Sequence, residues 1–241
     1  MNTTPLARPG WRAAAGLLAA LALTATAFAQ APAKGSAAHI TATVNKVNAA
    51  FMKNNASKTP DWPSYGLDYA ETRHSKLNQI STSNVKELGL VWSYNLESKR
   101  GVESTPLVVD GIMYVTASWS VVHAVDVRTG QRIWTYDPKV PREAGYKGCC
   151  DVVNRGVALH EGKVFVAAYD GRLIALDAAT GEKVWEKDTI IDRKFSYTIT
   201  GAPRVFKGKV IIGNGGAEFG VRGYITAYDA ASGAQKWRWF T

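Results

Sequence analysis

From Asp61 to the end of the chain, apolar residues come in short runs that are either continuous or alternating, with glycines between them. Runs of that length and period are strands rather than helices. Val164 to Ala168 is one such run, Asp170-Gly171 is a tight-turn pair, and Arg172 to Asp177 alternates. Thr180-Gly181 marks the next turn, and Lys183-Val184-Trp185 begins a further strand.

The same phrase occurs three times. Ala124-x-Asp126, Thr129-Gly130 and Trp134 are followed by Ala175-x-Asp177, Thr180-Gly181 and Trp185, then by Ala227-x-Asp229, Ser232-Gly233 and Trp237. The aspartates are 51 and 52 positions apart, and Trp92 reads as the closing tryptophan of an earlier, divergent unit. Three to four strands in each repeat of about fifty residues predict an all-β fold of propeller blades. One four-stranded sheet cannot bury both of its faces, so neighbouring blades must stack. A large flat tryptophan at one position per blade suits that stacking and is read as structural.

Upstream the texture differs. Residues 31–60 are rich in Ala, Lys, Asn and Ser, and His39 to Ala56 predicts one short amphipathic helix with Ile40, Val44, Val47 and Phe51 on a face. Asn55-Ala56-Ser57 is read as a chance match to a glycosylation sequon. Arg8 and Arg12, the apolar stretch Ala13 to Ala25, and Ala27-Phe28-Ala29 have the layout of a secretory leader, with the mature chain expected from near Gln30. The expected organisation is a signal peptide over 1–29, a linker with a short helix over 30–60, and propeller over 61–241. No second apolar stretch is long enough to span a bilayer. Export implies an oxidising compartment, the periplasm.

Hydrophobic and charged contents of 46% and 20% are those of an ordinary globular protein. The net charge is +9, but no run of five Lys or Arg occurs, so nucleic acid is not an expected partner. A basic surface equally suits an acidic electron-transfer partner.

Cys149-Cys150 is the sharpest local feature, because the chain has two cysteines and they are adjacent. A disulfide between neighbours closes too small a loop to stabilise a fold, and a flat sulfur ledge against a planar ligand is a better use of it. Two free or metal-binding thiols are the alternative. The four histidines, His39, His74, His123 and His160, lack metal-ligand spacing, and His123 falls in a predicted strand. Gly213-Asn214-Gly215 fails as a dinucleotide fingerprint, since Glu218 stands where the third glycine belongs and no helix is predicted after it.

The segment Gly148-Cys149-Cys150-Asp151-Val152-Val153-Asn154-Arg155-Gly156 resembles the part of the PQQ-dependent (quinoprotein) alcohol dehydrogenases that lays a disulfide over the cofactor. Gly101-Val102-Glu103-Ser104-Thr105-Pro106, Thr198-Ile199-Thr200-Gly201-Ala202-Pro203 and the run Gly213 to Gly223 resemble the same family, in the same order and spacing. Ser118-Trp119-Ser120-Val121-Val122-His123-Ala124 is more similar to the quinohaemoprotein ethanol dehydrogenases than to the methanol dehydrogenases. The resemblance covers residues 61–241 and implies an eight-bladed propeller with tryptophan-docking repeats. About the first half of it is expected here, on a chain read as truncated.

The likeness further implies a PQQ site. Glu103 would hydrogen-bond the cofactor rim. Cys149 and Cys150 would form the ledge. Arg155 and Thr200 would meet the carboxylates, and Gly215, Gly216 and Ala217 would let the backbone approach closely. Glu218 would bind calcium, and Ala217 before it looks more like the calcium enzymes than the lanthanide ones. The implied reaction is oxidation of a primary alcohol to an aldehyde, with electrons passed to a cytochrome c-type acceptor. The Asp base is expected beyond Thr241, so no catalytic residue is named in this chain. No C-x-x-C-H occurs, so a haem c would lie on a part outside this segment. The rival reading is a non-catalytic propeller scaffold of the outer-membrane assembly type, which has no need of Cys149-Cys150, Glu103 or Glu218.

Overall fold

A computed structural model describes residues 1, 30–55 and 60–241. The leader reading and the end of the sequon fall outside the described residues. Three four-stranded antiparallel sheets follow one another along the chain, each a meander in sequence order. The first contains β1 (Leu107–Val109), β2 (Ile112–Thr116), β3 (Val122–Asp126) and β4 (Gln131–Tyr136). The second contains β5 (Ala158–His160), β6 (Lys163–Ala167), β7 (Arg172–Asp177) and β8 (Lys183–Asp188). The third contains β9 (Arg204–Phe206), β10 (Lys209–Gly213), β11 (Tyr224–Asp229) and β12 (Gln235–Phe240). The three copies of the repeat are thus three propeller blades.

Stacking explains why the central strands read as continuous apolar runs. Successive side chains in a strand point to opposite faces. On β6, Val164 and Val166 join Tyr114 and Trp134 in one core, while Phe165 and Ala167 join Ile199 and Val210 in another. Both faces of the middle sheet are therefore dry. β8, at the rim, is mostly polar and exposed.

The tryptophans fix the stacking distance. Trp92, Trp134 and Trp185 donate their indole N–H to the carbonyls of Val127, Ala178 and Ala230, at 2.7, 3.0 and 3.3 Å. Each ring lies against the turn glycine of the next repeat. A Cβ on Gly130, Gly181 or Gly233 would approach it within 2.7, 2.7 or 2.9 Å, and all three glycines have positive φ. Trp92 makes the same contact as the others although its segment forms no regular strand, which supports reading it as a closing tryptophan. Trp237 is 42% exposed, and no further copy of the turn follows it in this chain.

The repeated aspartate turns the chain between the last two strands of each sheet. Asp177 Oδ1 accepts from the N–H groups of Ala179 and Thr180, and Asp229 Oδ1 from those of Ala231 and Ser232. Asp229 also accepts from Ser232 Oγ and faces Lys236 Nζ at 3.2 Å. The Ser232 hydrogen bonds first, then Lys236, hold its pKa down to about 2. Because the folded pKa lies below the unfolded value of about 3.9, the contribution of this carboxylate is complete above that pH and is lost as pH falls through about 2. Urea unfolding of wild type and Asp229→Asn from pH 6 to pH 2 should show a stability difference that is flat above about pH 4 and shrinks below it. A difference that is unchanged down to pH 2 would show that the charge does not matter.

One expectation needs correcting. The stretch from His39 is not one helix but two, α1 (Ala37–Val44) and α2 (Ala49–Asn55). Ile40, Val44 and Val47 are fully buried, and Phe51 packs beside them. The break occurs because the carbonyls of Val44 and Val47 accept from Gly162 and Glu161, in the β5–β6 turn, rather than continuing the helix. Asn48 then starts α2 by accepting from the Phe51 N–H at 3.0 Å. Farther on, Trp62 exchanges two backbone hydrogen bonds with Val108 and so covers part of the free edge of β1. No helix among the described residues is long and apolar enough to cross a membrane.

Candidate functional site

The candidate residues enter the first strand of each sheet from the same side. Glu103 to Pro106 leads into β1, Arg155 to Val157 into β5, and Thr200 to Pro203 into β9. Pro106 and Pro203 restrict Thr105 and Ala202 to extended backbone. Consecutive approaches are laced together, since Thr105 N–H donates to Arg155 O at 3.1 Å and Arg155 N–H donates to Thr200 O at 2.9 Å. Gly156, at φ +127°, permits this closeness: a Cβ there would lie 3.0 Å from Thr105 O.

Arg155 is the hub. Its Nη2 is 2.8 Å from Glu103 Oε2, and its Nη1 donates to Thr200 Oγ1 at 2.6 Å. The side chain is 38% exposed, and a guanidinium has five N–H donors, so capacity remains for an anionic ligand. The structure thus gathers Glu103, Arg155 and Thr200, from three different repeats, into one cluster.

Cys149 and Cys150 are bonded to each other and exposed. Their loop is held from both sides. Asp151 pairs with Arg100, and its Oδ2 accepts from Gly101 N–H at 3.1 Å. The Arg100 hydrogen bond, followed by the Val152 and Gly101 N–H groups, holds the Asp151 carboxyl below the usual carboxylate range. This clamp ties the disulfide loop to the segment that carries Glu103. On the other side, Gly148 rests against Tyr169.

Gly215 pairs with the segment that leads to Thr200, donating its N–H to Thr198 O at 2.7 Å. Gly216, at φ +111°, is packed so that a Cβ would meet Ser196 O at 2.3 Å. Gly216 is therefore required by contacts within the protein, whatever its role toward a ligand, whereas a Cβ on Gly215 would lie 3.1 Å from Thr198 Oγ1. Ala217 and Glu218 lie on the short 3-10 turn Ala217–Phe219, and both are exposed. Glu218 and Asp151 both act through space to raise the Tyr169 hydroxyl pKa, after burial, which is the larger cause.

The donor set bears on which groups the site fits. A planar ligand with carboxylates matches the chemistry of an exposed disulfide, a half-buried guanidinium and a threonine hydroxyl. For a metal the set is incomplete, because among the described residues no three His, Cys, Asp or Glu gather. Glu218 alone could give at most two of the six to eight oxygens that calcium takes. His123 lies in β3, as expected, with Nδ1 2.9 Å from the Tyr94 hydroxyl, and burial pushes its pKa down.

Beneath the cluster runs a buried polar network that sequence reasoning did not single out. Asn154 donates to Ser120 Oγ at 3.1 Å and to Ala167 O at 2.9 Å, and accepts from Gly156 N–H at 3.0 Å. Thr116 Oγ1 lies 3.0 Å from Ser104 Oγ and 3.1 Å from Asn154 O. A lone Asn after Val152-Val153 was the available signal, since a polar residue in an apolar run is either exposed or satisfied.

Residues 62–241 match the family described as PQQ: Glucose/ethanol/alcohol dehydrogenase, beta-propeller domain. A quinohemoprotein alcohol dehydrogenase of Comamonas testosteroni is 68% identical over 225 residues, which are 93% of this chain and 31% of that protein. A 1-butanol dehydrogenase (cytochrome c) of Thauera butanivorans is 70% identical over 175 residues, 73% of this chain and 25% of that protein. The crystal structure of the Comamonas testosteroni enzyme superposes with a TM-score of 0.83 at 71% identity, over 85% of this chain and 31% of that one. The chain therefore spans about a third or less of the length of these relatives.

Proposed function

This chain belongs to the PQQ β-propeller family of glucose, ethanol and alcohol dehydrogenases, and on that premise we propose that the whole protein oxidises a primary alcohol to an aldehyde. The observation that carries the reading is the cluster of Glu103, Arg155 and Thr200, together with the Cys149–Cys150 disulfide whose loop Asp151 ties to Arg100 and Gly101. When bound, PQQ supplies the two-electron acceptor that takes a hydride from the carbinol carbon.

The residues of this chain bind and orient. Arg155 meets the carboxylates of the cofactor with its charged fork, and Thr200 adds a hydroxyl. Glu103 holds the guanidinium in place and accepts from the cofactor rim. Cys149 and Cys150 present a flat, apolar face on which a planar ring system stacks, and they exclude water from that side. Gly215, Gly216 and Ala217, which lack bulk, let the backbone come close to its edge. Glu218 contributes a hard oxygen donor to a calcium ion, completed by ligands from other parts of the protein. None of these residues is assigned the role of base.

The acceptor we propose is a c-type cytochrome, in keeping with the name of the Thauera butanivorans relative, and the compartment is the periplasm, in keeping with the leader. The test is reconstitution of the full-length apoprotein. Adding PQQ with calcium should give a saturable change in the quinone absorption and dye-linked oxidation of ethanol or 1-butanol. A full-length, folded protein that neither binds the quinone nor oxidises either alcohol would overturn the reading.

A further inference from the structure

Tyr169 lies outside every segment that carries the family likeness, yet it touches several of them. Its backbone N–H donates to Ser120 Oγ at 3.0 Å, and its carbonyl accepts from Ile199 N–H at 3.2 Å. The side chain is fully buried, with its ring edge-on to Trp119 at a centroid distance of 6.5 Å. The hydroxyl donates to Gly145 O at 3.4 Å, in the 3-10 turn Arg142–Lys147 that leads into the disulfide loop.

The hydroxyl also lies directly under Gly148, where a Cβ would come within 2.2 Å of it. Gly148 has φ −134°, an extended conformation open to any residue. What makes this position a glycine is therefore space, and the atom that fills the space is the Tyr169 oxygen. A phenylalanine would fill the core equally well; the oxygen is spent on the loop.

We propose that Tyr169 is a positioning residue whose hydroxyl is the stop on which Gly148 rests, setting the height of the Cys149–Cys150 ledge at the quinone face. This rests on the quinone-site reading above. A planar ligand stacked on a ledge is sensitive to displacements well under 1 Å, and a ledge on an exposed loop needs support from a rigid element. Tyr169 is separated from β6 by Ala168 alone and from β7 by Asp170 and Gly171, so the stop is mounted on the middle sheet.

The test is a pair of substitutions in the full-length protein, with two readouts. In the apoprotein, the rate at which a phosphine reductant opens Cys149–Cys150 is followed by alkylation and mass spectrometry. Tyr169→Phe should raise that rate roughly three- to tenfold, because the loop loses its stop. In a PQQ titration, Gly148→Ala should weaken binding by more than about tenfold. The double variant Gly148→Ala/Tyr169→Phe should recover most of that loss, because removing the oxygen makes room for the new methyl.

Rescue in the double variant, together with faster reduction in Tyr169→Phe, supports the proposal. Additive losses, or an unchanged reduction rate, overturn it. If Gly148→Ala does not fold, the reduction rate of Tyr169→Phe decides alone. That readout uses no cofactor, so failure of wild type to bind PQQ would sink the proposed function and leave the stop separately testable.

Discussion

Replacing Arg155 by Met is expected to weaken PQQ binding by about one and a half to two and a half orders of magnitude while leaving the fold in place. Among the described residues, its side chain is the only cation bonded to both Glu103 and Thr200. Truncating one partner of a hydrogen-bonded charge pair in a partly desolvated site costs about 2–5 kcal/mol, much of it from the partner left unpaired. Here that partner is Glu103, whose negative charge would then face the carboxylates of the cofactor directly. At 38% exposure the lower half of that range applies. The backbone bonds of residue 155 to Thr105 and Thr200 do not depend on its side chain, so the melting temperature should change little. Arg155→Lys should fall between, since it keeps the charge and loses the fork. Fluorescence or absorbance titration of the full-length apoprotein reads all three proteins. Wild-type affinity in Arg155→Met would remove the central element of the proposed site.

The second large effect is expected at Glu218. Glu218→Gln keeps the shape and removes one formal charge from the proposed cation site. Affinity for hard cations depends steeply on carboxylate count, so half-saturation by calcium should move upward by about tenfold or more, and turnover at limiting calcium should fall by about two orders of magnitude. The side chain is exposed on a short 3-10 turn, where substitutions usually change stability by less than about 0.5 kcal/mol. Loss of activity would then not be loss of fold. Glu103→Gln is the matched control: it breaks the ion pair with Arg155 and should lower PQQ affinity without shifting the calcium dependence. Dye-linked alcohol oxidation against calcium concentration separates the two. An unshifted calcium curve in Glu218→Gln would mean that Glu218 is not a ligand.

Much of the fold can be read from local pattern. The strand expected from Arg172 to Asp177 is β7 residue for residue, and the run expected from Val164 is β6 displaced by one. These succeed because the Asp170-Gly171 turn and the repeated Asp and Gly set the chain reversals within a few residues. The helix break at residues 45–48 has one local signal, the capping Asn48, but Glu161 and Gly162, which bond Val47 and Val44 from the β5–β6 turn, are more than a hundred positions away in the chain. The site residues were legible only together, through four segments matching one family. No single Glu or Arg stands out. Asn154, Thr116, Ser120 and Tyr169 were passed over because the bonds that join them, Thr116 to Asn154, Asn154 to Ser120 and Tyr169 to Ser120, cross between repeats. That a Cβ on Gly216 would meet Ser196 O could not be read from the sequence, because Ser196 lies on a separate segment.

The dryness of both faces of the middle sheet has a kinetic meaning. Amide protons exchange with solvent through openings whose free energy follows the apolar contacts that must break. β6 and β7 must part from two neighbours at once, whereas the rim strands β4 and β8 need only fray. The slowest-exchanging amides among the described residues should therefore sit in the strands flanking Tyr169, and the proposed quinone face is mounted on the part of this chain that opens last.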